Sequence, residues 1–353
     1  MTVVDADVAA GNGTDETAAR AVVDIVTGTW RAQALYAAVA LGLPDHLAEG
    51  HVTSASLAAR AQADPDGVLR LMRLLVAIGV FDGDDRTGYR LTPISRLLRT
   101  GTSTSMREMC RLYGEEFHQA WGSVVTAVRT GRSGFEHAFD RTLHEYLAEV
   151  PGAGQRFLDA MNAGSAFFAD VPEAFDFSRG KTVADLGGGS GTLLSTVLEA
   201  HPHLRGVLVD KEHMLPVARN QLVARGCADR CDVVAGDIFR SVPENFDFYL
   251  LSRILQDWDD GECITLLTHC RRAMADESAR VLILERVIPD SGTEVLPLLW
   301  DLHLLMMAGG RERTLASYES ILDGAGLRLE AVHPLALETR LLVAAPVAPG
   351  RSR

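Results

Sequence analysis

The sequence predicts an α/β protein with a doubly wound parallel sheet in its C-terminal half, preceded by a helical region with a winged-helix pattern. From Lys181 onward, short β-rich apolar runs alternate with helical patterns. This alternation is typical of parallel sheets flanked by helices. Before that point, apolar residues recur at i, i+3 and i+4 spacing, as on the buried face of an amphipathic helix.

The composition is that of a globular protein with a sizeable core. The chain has 353 residues, of which 47% are hydrophobic and 23% charged, and its net charge is -13. A nucleic-acid partner would require a basic face. No apolar run reaches the roughly 18 residues that cross a bilayer, and the N-terminus lacks a signal-peptide pattern. We therefore expect a cytoplasmic protein that binds neither nucleic acid nor membranes.

The cysteines predict a reduced chain without a metal site. There are five, an odd number, and none forms a CxxC pair. Cys227 and Cys231 lie four residues apart, but no histidine is close enough in sequence to complete a zinc site.

The first predicted domain, residues 1–105, is helical and ends in a small β-hairpin. The stretch "TSASLAARAQADPDGVLRLMRLLVAIGVF" predicts two helices separated by "ADPDG", and "FDGDDRTGYRLTPISRLL" predicts strand, turn, strand and helix. This order resembles a winged helix. Residues 1–100 contain nine arginines and no lysine against twelve acidic residues, so dimerisation or substrate covering is favoured over DNA binding.

Two further regions follow. Residues 106–178 predict consecutive helices with aromatic and Met side chains on one side. Residues 179–353 form the α/β domain, with strands predicted at "KTVADL", "RGVLVD", "CDVVAGD", "FDFYLLS" and "ARVLILERVI". The tail "LRLEAVHPLALETRLLVAAPV" predicts two more strands, as an antiparallel hairpin at the sheet edge.

The stretch "VADLGGGSGTLLSTVLEA" predicts a strand, a glycine loop and a helix. Gly187, Gly189 and Gly191 allow a tight turn and a close approach to a ligand. Dinucleotide-binding folds use a similar loop, so this pattern alone is weak. Asp185, two residues before the first glycine, could place its carboxylate opposite a cationic group.

Two more acidic residues follow the next strands. Asp210 could accept hydrogen bonds from both ribose hydroxyls. In "AGDIF", Asp237 could accept from an adenine amine while Ile238 and Phe239 pack on the ring. Each Asp alone could be a helix cap. Together, without a basic clamp for a pyrophosphate, they favour S-adenosylmethionine as cofactor over a nicotinamide dinucleotide.

The motifs "DLGGGSG", "AGDIF", "LSRILQDWDD", "ILERVI" and "GGRERT" resemble, in order and spacing, the small-molecule O-methyltransferases that include plant phenolic and bacterial polyketide enzymes. The likeness extends over nearly the whole chain. It is greatest to bacterial phenazine methyltransferases, through "VTGTWRAQALYAAVALGL", "YGEEFHQAW" and "LWDLHLLMMAGGRERT".

This resemblance implies a helical winged-helix dimerisation domain, a C-terminal Rossmann-like domain and an intertwined homodimer, with a small aromatic acceptor bound between the domains. It also implies that Ser252 and Arg253 line the cofactor.

Gln256 stands where relatives in this family usually have a His that removes a proton, although Asp257 and Trp258 still follow it. Gln has no titratable group and cannot be a general base. One hypothesis is that Glu285 or Glu312, which the resemblance places near the usual base, accepts the proton. Asp257 is a further candidate, although it could equally cap the following helix "DDGECITLLTHCRRAMA".

A second hypothesis needs no base. The phenol of an electron-poor heteroaromatic ring is largely ionised near neutral pH, and a ring nitrogen has no proton to lose. Gln256 would then only orient the acceptor. A third possibility is that the fold no longer methylates, although the cofactor motifs are intact.

The acceptor pocket is predicted from Met and aromatic side chains, which bind flat aromatic rings, although most of them could equally be core residues. His303 is also considered as an alternative base. The predicted pocket residues are Phe117, His118, Trp121, Met161, Asn162, Phe168, Trp300, His303, Met306 and Met307.

The sequence therefore predicts an S-adenosylmethionine-dependent O-methyltransferase that acts on a hydroxyl of a phenazine-like aromatic in antibiotic biosynthesis. The alternatives are N-methylation of a phenazine carboxylate and O-methylation of another aromatic polyketide. A winged-helix transcriptional regulator and an NAD-dependent oxidoreductase are less favoured.

Overall fold

The computed structural model describes residues 5–102, 105–291 and 294–347, with side chains from residue 15 onward. The chain forms two compact units, Met1–His118 and Gln119–Arg353. Each unit is described separately below. The finer division into three regions, with boundaries near 105 and 178, stays a prediction.

The N-terminal unit is helical with one antiparallel hairpin. Thr53 and Asp64 cap α4 and α5, with Pro65 opening α5, so the "ADPDG" break predicted from the sequence is confirmed. The hairpin pairs Phe81 with Leu91. The elements are α1 (Asp5–Val26), α2 (Gly28–Ala40), α3 (Leu43–Ala48), α4 (Ser54–Ala61), α5 (Pro65–Ala77), β1 (Phe81–Asp84), β2 (Gly88–Leu91), α6 (Pro93–Arg96) and α7 (Arg107–Gly114).

A single apolar cluster stabilises this unit. Leu57, Met72, Leu75 and Phe81 are fully buried in it, each contributing about 1.5–3 kcal/mol by leaving water. The end of α1 and the start of α2 instead expose a set of large apolar side chains: Val22, Val23, Ile25, Val26 and Trp30.

Consecutive helices follow, as predicted. Helix α8 (Glu116–Trp121) spans the division between the units. The C-terminal unit then begins with α9 (Val124–Thr130), α10 (Gly134–Phe139), α11 (Leu143–Glu149), α12 (Ala153–Ala163) and α13 (Val171–Ala174).

An eight-stranded sheet forms the centre of the C-terminal unit, in the order β5-β4-β3-β6-β7-β10-β9, with β8 paired to β7. The strands are β3 (Thr182–Leu186), β4 (Arg205–Asp210), β5 (Cys231–Ala235), β6 (Phe248–Ser252), β7 (Arg280–Ile288), β8 (Arg313–Thr314), β9 (Leu327–Pro334) and β10 (Thr339–Pro346). The helices are α14 (Thr192–Ala200), α15 (Leu215–Ala224), α16 (Asp260–Ala273), α17 (Val295–Met307) and α18 (Leu315–Gly324).

The predicted doubly wound architecture is confirmed. Strands β3 to β7 pair in parallel, and the chain leaves β3 for β4 on one side and returns as β6 on the other. Such a switch point opens a crevice at the carboxyl ends of the strands, where ligands bind in sheets of this kind. The predicted C-terminal hairpin is also present: β9 forms the edge, and β10 lies between β9 and β7, antiparallel to both.

Apolar clusters cover both faces of the sheet, so its central strands are nearly continuously buried. Among the described residues, no helix is both long and apolar enough to cross a membrane. No group of three or more potential metal ligands occurs in the part of the chain that the structure describes. All five cysteines are free thiols.

Candidate active site

The glycine loop joins the end of β3 to α14 at the switch point. Gly187 and Gly189 have φ values of +69° and +55°, in the left-handed region that favours glycine. A Cβ on Gly188 would lie 2.6 Å from Asp185 Oδ2. The loop can therefore follow this path only with glycine at these positions, and it leaves its backbone open to a ligand.

Asp185 lies under this loop and is fully buried. Its Oδ2 atom has no hydrogen-bond partner among the described residues. Burial, with a smaller contribution from the charge of Asp210, raises the pKa of Asp185 to about 7. A carboxyl group in this state gains a large favourable interaction when a cation is placed beside it. This fits the predicted role opposite a cationic group.

The carboxylate of Asp210, at the end of β4, is oriented by backbone amides. Oδ2 accepts from Gly189 N at 2.8 Å, and Oδ1 accepts from Lys211 N at 2.7 Å. Asp210, which is predicted to bind a ribose, is thus held against the glycine loop by the Gly189 amide. A ribose bound to Asp210 would lie beside the loop.

Asp237 lies just beyond β5 and accepts from Phe239 N at 3.1 Å. Its carboxylate also forms an ion pair with Lys211 Nζ at 3.2 Å. The Phe239 amide and Lys211 lower the pKa of Asp237, so it is an anion that can accept from an amine. The Phe239 ring packs on Trp258, and Ile238 packs against the main core. Sequence reasoning missed Lys211, which lies next to Asp210 but carried no motif.

A cavity opens between the glycine loop and the end of α12. Ser252 lines it, and the Ser252 hydroxyl has no hydrogen-bond partner among the described residues. Met161, Asn162 and Phe168, predicted for the acceptor pocket, line this cavity together with Asp185. The lining residues are Leu158, Met161, Asn162, Phe168, Asp185, Gly187, Gly188, Gly189, Ser190, Leu193, Ser252 and Arg253.

The donor set of this cofactor cavity fits S-adenosylmethionine. The two polar atoms left without a partner, Asp185 Oδ2 and Ser252 Oγ, are an acceptor for a cation and a hydroxyl that can donate or accept. Asp210 and Asp237 offer the acceptors expected for a ribose and an adenine amine.

Gln256 lies in a short 3-10 turn, Leu255–Asp257, directly after β6. We call this the Gln256 turn. Glu285 Oε1, on β7, accepts from Ile254 N and Leu255 N at 3.0 and 2.9 Å. The Gln256 carbonyl accepts from Arg311 N at 2.8 Å. A Cβ on Gly310 would lie only 2.4 Å from that carbonyl oxygen, so the turn is fixed from both sides.

Arg313 fastens the other end of the Gln256 turn. Its buried guanidinium donates to the carbonyls of Leu255 and Trp258 at 2.6 and 2.7 Å, and to Asp260 Oδ1. The motif "GGRERT" contains both Glu312 and Arg313, but only Glu312 was predicted as a site residue. An arginine two residues before a helix gives no local sign of bonding to carbonyls more than fifty positions away.

Asp257 does not cap the helix that follows it. The N-cap of α16 is Asp259, whose carboxylate accepts from Glu262 N at 2.9 Å, because the helix begins at Asp260. The capping interpretation of Asp257 is therefore wrong. Burial raises the pKa of Asp257 to about 6, although a hydrogen bond from the Gln256 side chain and the charge of Arg253 oppose the shift.

The two candidate glutamates are buried and protonated near neutral pH. Burial, then the Asp257 charge, raises the pKa of Glu285 to about 8. Burial, then the Glu285 charge, raises the pKa of Glu312 to about 9. Both oxygens of Glu312 and Oε2 of Glu285 have no hydrogen-bond partner among the described residues. A carboxyl group that already holds its proton cannot take one from an acceptor.

His303, on α17, lies in an aromatic cluster with Trp121 and Trp300. Trp121 Nε1 donates to His303 Nδ1 at 3.2 Å, which leaves the proton of the neutral ring on Nε2. Burial, then the charge of Arg286, lowers the pKa of His303 to about 4. The ring is thus neutral with Nδ1 occupied, which argues against the alternative that His303 is the base.

The remaining predicted pocket residues lie in different surroundings. Trp300 stacks under the Arg286 guanidinium, 4.4 Å from the ring centroid. Met306 and Met307 are buried, and their carbonyls accept from Ser133 Oγ, so they fasten α17 to the start of α10. Phe117 and His118 belong to the N-terminal unit, where Phe117 packs edge-on against Tyr113.

Two sequence profiles match the chain. The O-methyltransferase domain matches residues 121–328, and the O-methyltransferase dimerisation domain matches residues 23–101. The second match supports a homodimer.

Individual relatives are similar over almost their whole length. The chain is 43% identical over 334 residues to phenazine-1-carboxylate N-methyltransferase of Pseudomonas aeruginosa, covering 95% of this chain and 99% of the relative. It is 40% identical over 331 residues to 3-amino-4-hydroxybenzoate 4-O-methyltransferase of Streptomyces cremeus, covering 93% and 90%.

Solved structures agree with this assignment. The pyocyanin biosynthetic protein PhzM superposes with a TM-score of 0.85 at 43% identity, covering 94% of this chain and 99% of that one. Solved relatives in this family bind S-adenosylmethionine, the cofactor that the cavity fits. The resemblance predicted from the sequence is confirmed, and the regulator and oxidoreductase alternatives are set aside. The chain belongs to the S-adenosylmethionine-dependent O-methyltransferases with an N-terminal dimerisation domain.

Proposed function

We propose that this methyltransferase acts in secondary metabolism on a phenazine-like aromatic, at an atom from which no protein base has to remove a proton. One observation carries the proposal: the position expected for a base holds Gln256, on a turn fixed by Glu285, Gly310, Arg311 and Arg313.

The groups around the turn support the same conclusion. Glu285 and Glu312 hold their protons near neutral pH, and His303 is neutral with Nδ1 bound to Trp121. Burial raises the pKa of Asp257 to about 6, and the Gln256 side chain donates a hydrogen bond to this carboxylate, which weakens it as a base for a phenol. Glu285 has an unpartnered Oε2 atom, but burial raises its pKa to about 8, so the carboxyl groups remain the alternative that the glutamine variants test.

A ring nitrogen is therefore our first candidate for the acceptor atom, because it has a lone pair and no proton. The relative at 43% identity is named for N-methylation of phenazine-1-carboxylate. The hydroxyl favoured by the sequence becomes the second candidate, in the form of a phenol acidic enough to be ionised on its own. The 4-O-methyltransferase relative at 40% identity supports that second candidate.

The protein residues would then orient the acceptor and exclude water from the site, and would not act as acid or base. S-adenosylmethionine supplies an electrophilic methyl group on a sulfonium. Transfer is an in-line displacement that needs the acceptor atom about 3 Å from the methyl carbon. Trp121 and Trp300, whose ring centroids lie 6.4 and 5.1 Å from that of His303, are the aromatic side chains that we expect to contact a flat acceptor.

The test compares two acceptors with labelled S-adenosylmethionine: phenazine-1-carboxylate and 1-hydroxyphenazine. We expect label on a ring nitrogen, identified by mass spectrometry and NMR, at a rate that changes little between pH 7 and pH 9. An ether product, formed at a rate that follows ionisation of the phenol, would establish the second candidate instead.

Matched variants separate these outcomes from base catalysis. Glu285→Gln and Glu312→Gln keep the shape of each buried side chain but remove its titration. If no base is used, both retain the pH profile of the parent enzyme. Transfer to neither acceptor, or a pH profile that disappears in Glu312→Gln, would overturn the proposal.

A further inference from the structure

Arg253 is an outlier in backbone conformation at the edge of the cofactor cavity. It follows β6 directly and has a φ of +56°, in the left-handed region that non-glycine side chains rarely adopt. Strain of this kind persists where the surrounding structure holds the residue in place, and it concentrates at functional sites. The contacts of the Arg253 side chain indicate which function this strained conformation serves.

The Arg253 guanidinium is bound to the end of α12. Nη1 donates to the Met161 carbonyl at 3.2 Å, and Nη2 donates to Ser165 Oγ at 2.9 Å. Ser165 Oγ in turn donates to the Met161 carbonyl, which closes a small network. The guanidinium carbon also lies 5.7 Å from the ring centroids of both Phe167 and Phe168.

A second fastening joins the same helix end to the glycine loop. Asn162 Oδ1 accepts from Ser190 Oγ at 2.7 Å and from Thr192 Oγ1 at 3.4 Å. The two fastenings come from opposite sides of the switch point, one from the loop after β3 and one from the loop after β6. Between them, Leu158, Met161 and Phe168 form a wall of the cofactor cavity.

We propose that Arg253 is a positioning residue, which holds the end of α12 as the wall of the cofactor cavity and acts on cofactor binding through that wall. The sequence resemblance assigned Arg253 to direct contact with the cofactor. In the structure Arg253 does line the cavity, but Nη1 donates to the Met161 carbonyl and Nη2 to Ser165 Oγ, both on the wall itself. This inference concerns the methyl-donor side and is independent of the acceptor proposed above.

The two roles make different predictions for a double-mutant cycle on Arg253 and Ser165. If Arg253 acts through Ser165, then Ser165→Ala removes part of what Arg253→Gln removes, and the effects are not additive. If Arg253 contacts the cofactor directly, and its bond to Ser165 plays no part in that contact, the two substitutions act independently and their effects multiply.

The experiment measures S-adenosylhomocysteine affinity by calorimetry, which needs no acceptor, for the parent, Arg253→Gln, Ser165→Ala and the double variant. We expect about tenfold weaker binding in Arg253→Gln and about threefold in Ser165→Ala. The double variant should lie within about twofold of Arg253→Gln. Multiplied effects, about thirtyfold, would overturn the proposal in favour of direct contact.

Two further variants guard against a trivial structural effect. Arg253→Lys keeps the charge but lacks the planar fork that places Nη1 and Nη2 on two separate acceptors, so we expect it to resemble Arg253→Gln; parent-like affinity would mean that charge alone matters and would contradict the proposal. Arg253→Gly relieves the backbone strain while removing the guanidinium. It should bind as weakly as Arg253→Gln although its melting temperature is at least as high. Parent-like binding by Arg253→Gly would also overturn the proposal.

Discussion

The cofactor cavity and the Gln256 turn lie side by side at the ends of the parallel strands, yet they are built in opposite ways. In the cavity, Asp185 Oδ2 and Ser252 Oγ are buried without a partner, ready for a ligand. In the turn, backbone amides and carbonyls are bound by Glu285, Arg311 and Arg313. The cavity therefore has polar groups that can still bind a ligand, whereas the polar groups of the turn are already bonded to other parts of the protein.

This difference indicates where relatives of one family can diverge. The cofactor is common to the family, so the groups that meet it must stay. Glu285, Arg311 and Arg313 bind only backbone atoms of residues 254–258, so these bonds do not depend on which side chain stands at position 256. A Gln at position 256, where the sequence resemblance implies a His, would therefore change the chemistry and leave the scaffold intact.

The largest expected effect concerns Asp185. Asp185→Asn keeps the size of the side chain but removes the charge that faces the cofactor. We expect S-adenosylhomocysteine to bind about 100-fold more weakly, the scale of a lost charge-assisted hydrogen bond. Calorimetry measures this, with the exposed Asp232→Asn on β5 as the control. Equal affinity in both variants would remove Asp185 from the site.

Arg313 tests the rigidity of the Gln256 turn. Lysine cannot reach the carbonyls of Leu255 and Trp258 together with Asp260, so Arg313→Lys should lower the free energy of unfolding by about 2 kcal/mol. Arg328→Lys, in an exposed ion pair with Glu330, is the matched control and should change it by less than about 0.5 kcal/mol. Urea denaturation separates the two. Similar values for both would show that the turn is held elsewhere.

The pH dependence of cofactor binding tests the role proposed for Asp185. Because burial raises its pKa to about 7, the carboxyl group is protonated in acid and cannot pair with a cation. Affinity for S-adenosylhomocysteine should therefore increase about tenfold between pH 6 and pH 8 and then level off. The dependence should vanish in Asp185→Asn. Affinity that falls with rising pH would contradict this assignment.

The smallest expected effect concerns Gln256. If Gln256 only orients the acceptor, Gln256→Ala should lower kcat by no more than about fivefold, the value of one hydrogen bond. Loss of a general base would cost about 100-fold or more. Single-turnover rates with phenazine-1-carboxylate distinguish these cases, and a loss in the larger range would mean that Gln256 takes part in the chemistry.

Much of the cofactor cavity could be predicted from the sequence, because its residues follow directly after consecutive strands in the chain. A glycine loop after one strand and acidic residues after the next two must converge when the strands are parallel and adjacent. Asp185, Asp210 and Asp237 were predicted in this way, and the structure places them at or just beyond the ends of β3, β4 and β5. The partner of Asp237, Lys211, was not predicted, because no motif marks it.

The acceptor side could not be predicted to the same depth, because it depends on contacts between distant segments. Met161 and Asn162 were predicted for the acceptor pocket from their residue types, and the path of α12 brings them to the cavity beside Asp185; their contact with the acceptor stays a prediction. Burial raises the pKa of Glu312 and lowers that of His303. Burial is a property of the folded chain and cannot be read from the sequence. The N-cap of α16 is Asp259, two residues after Asp257, which the sequence had suggested as the cap. The backbone conformation of the folded chain decides where α16 begins, and the sequence does not show it.

The position of β10 has a consequence for how the protein is made. Thr339–Pro346 is the last strand in the chain order, yet it lies inside the sheet, between β7 and β9. A growing chain that has emerged from the ribosome past Arg313 contains the site residues discussed here but not the strand that completes the sheet beside Glu285. The sheet therefore closes only after synthesis of its last strand. Until then the edge of β7 is exposed, as is typical of aggregation-prone folding intermediates.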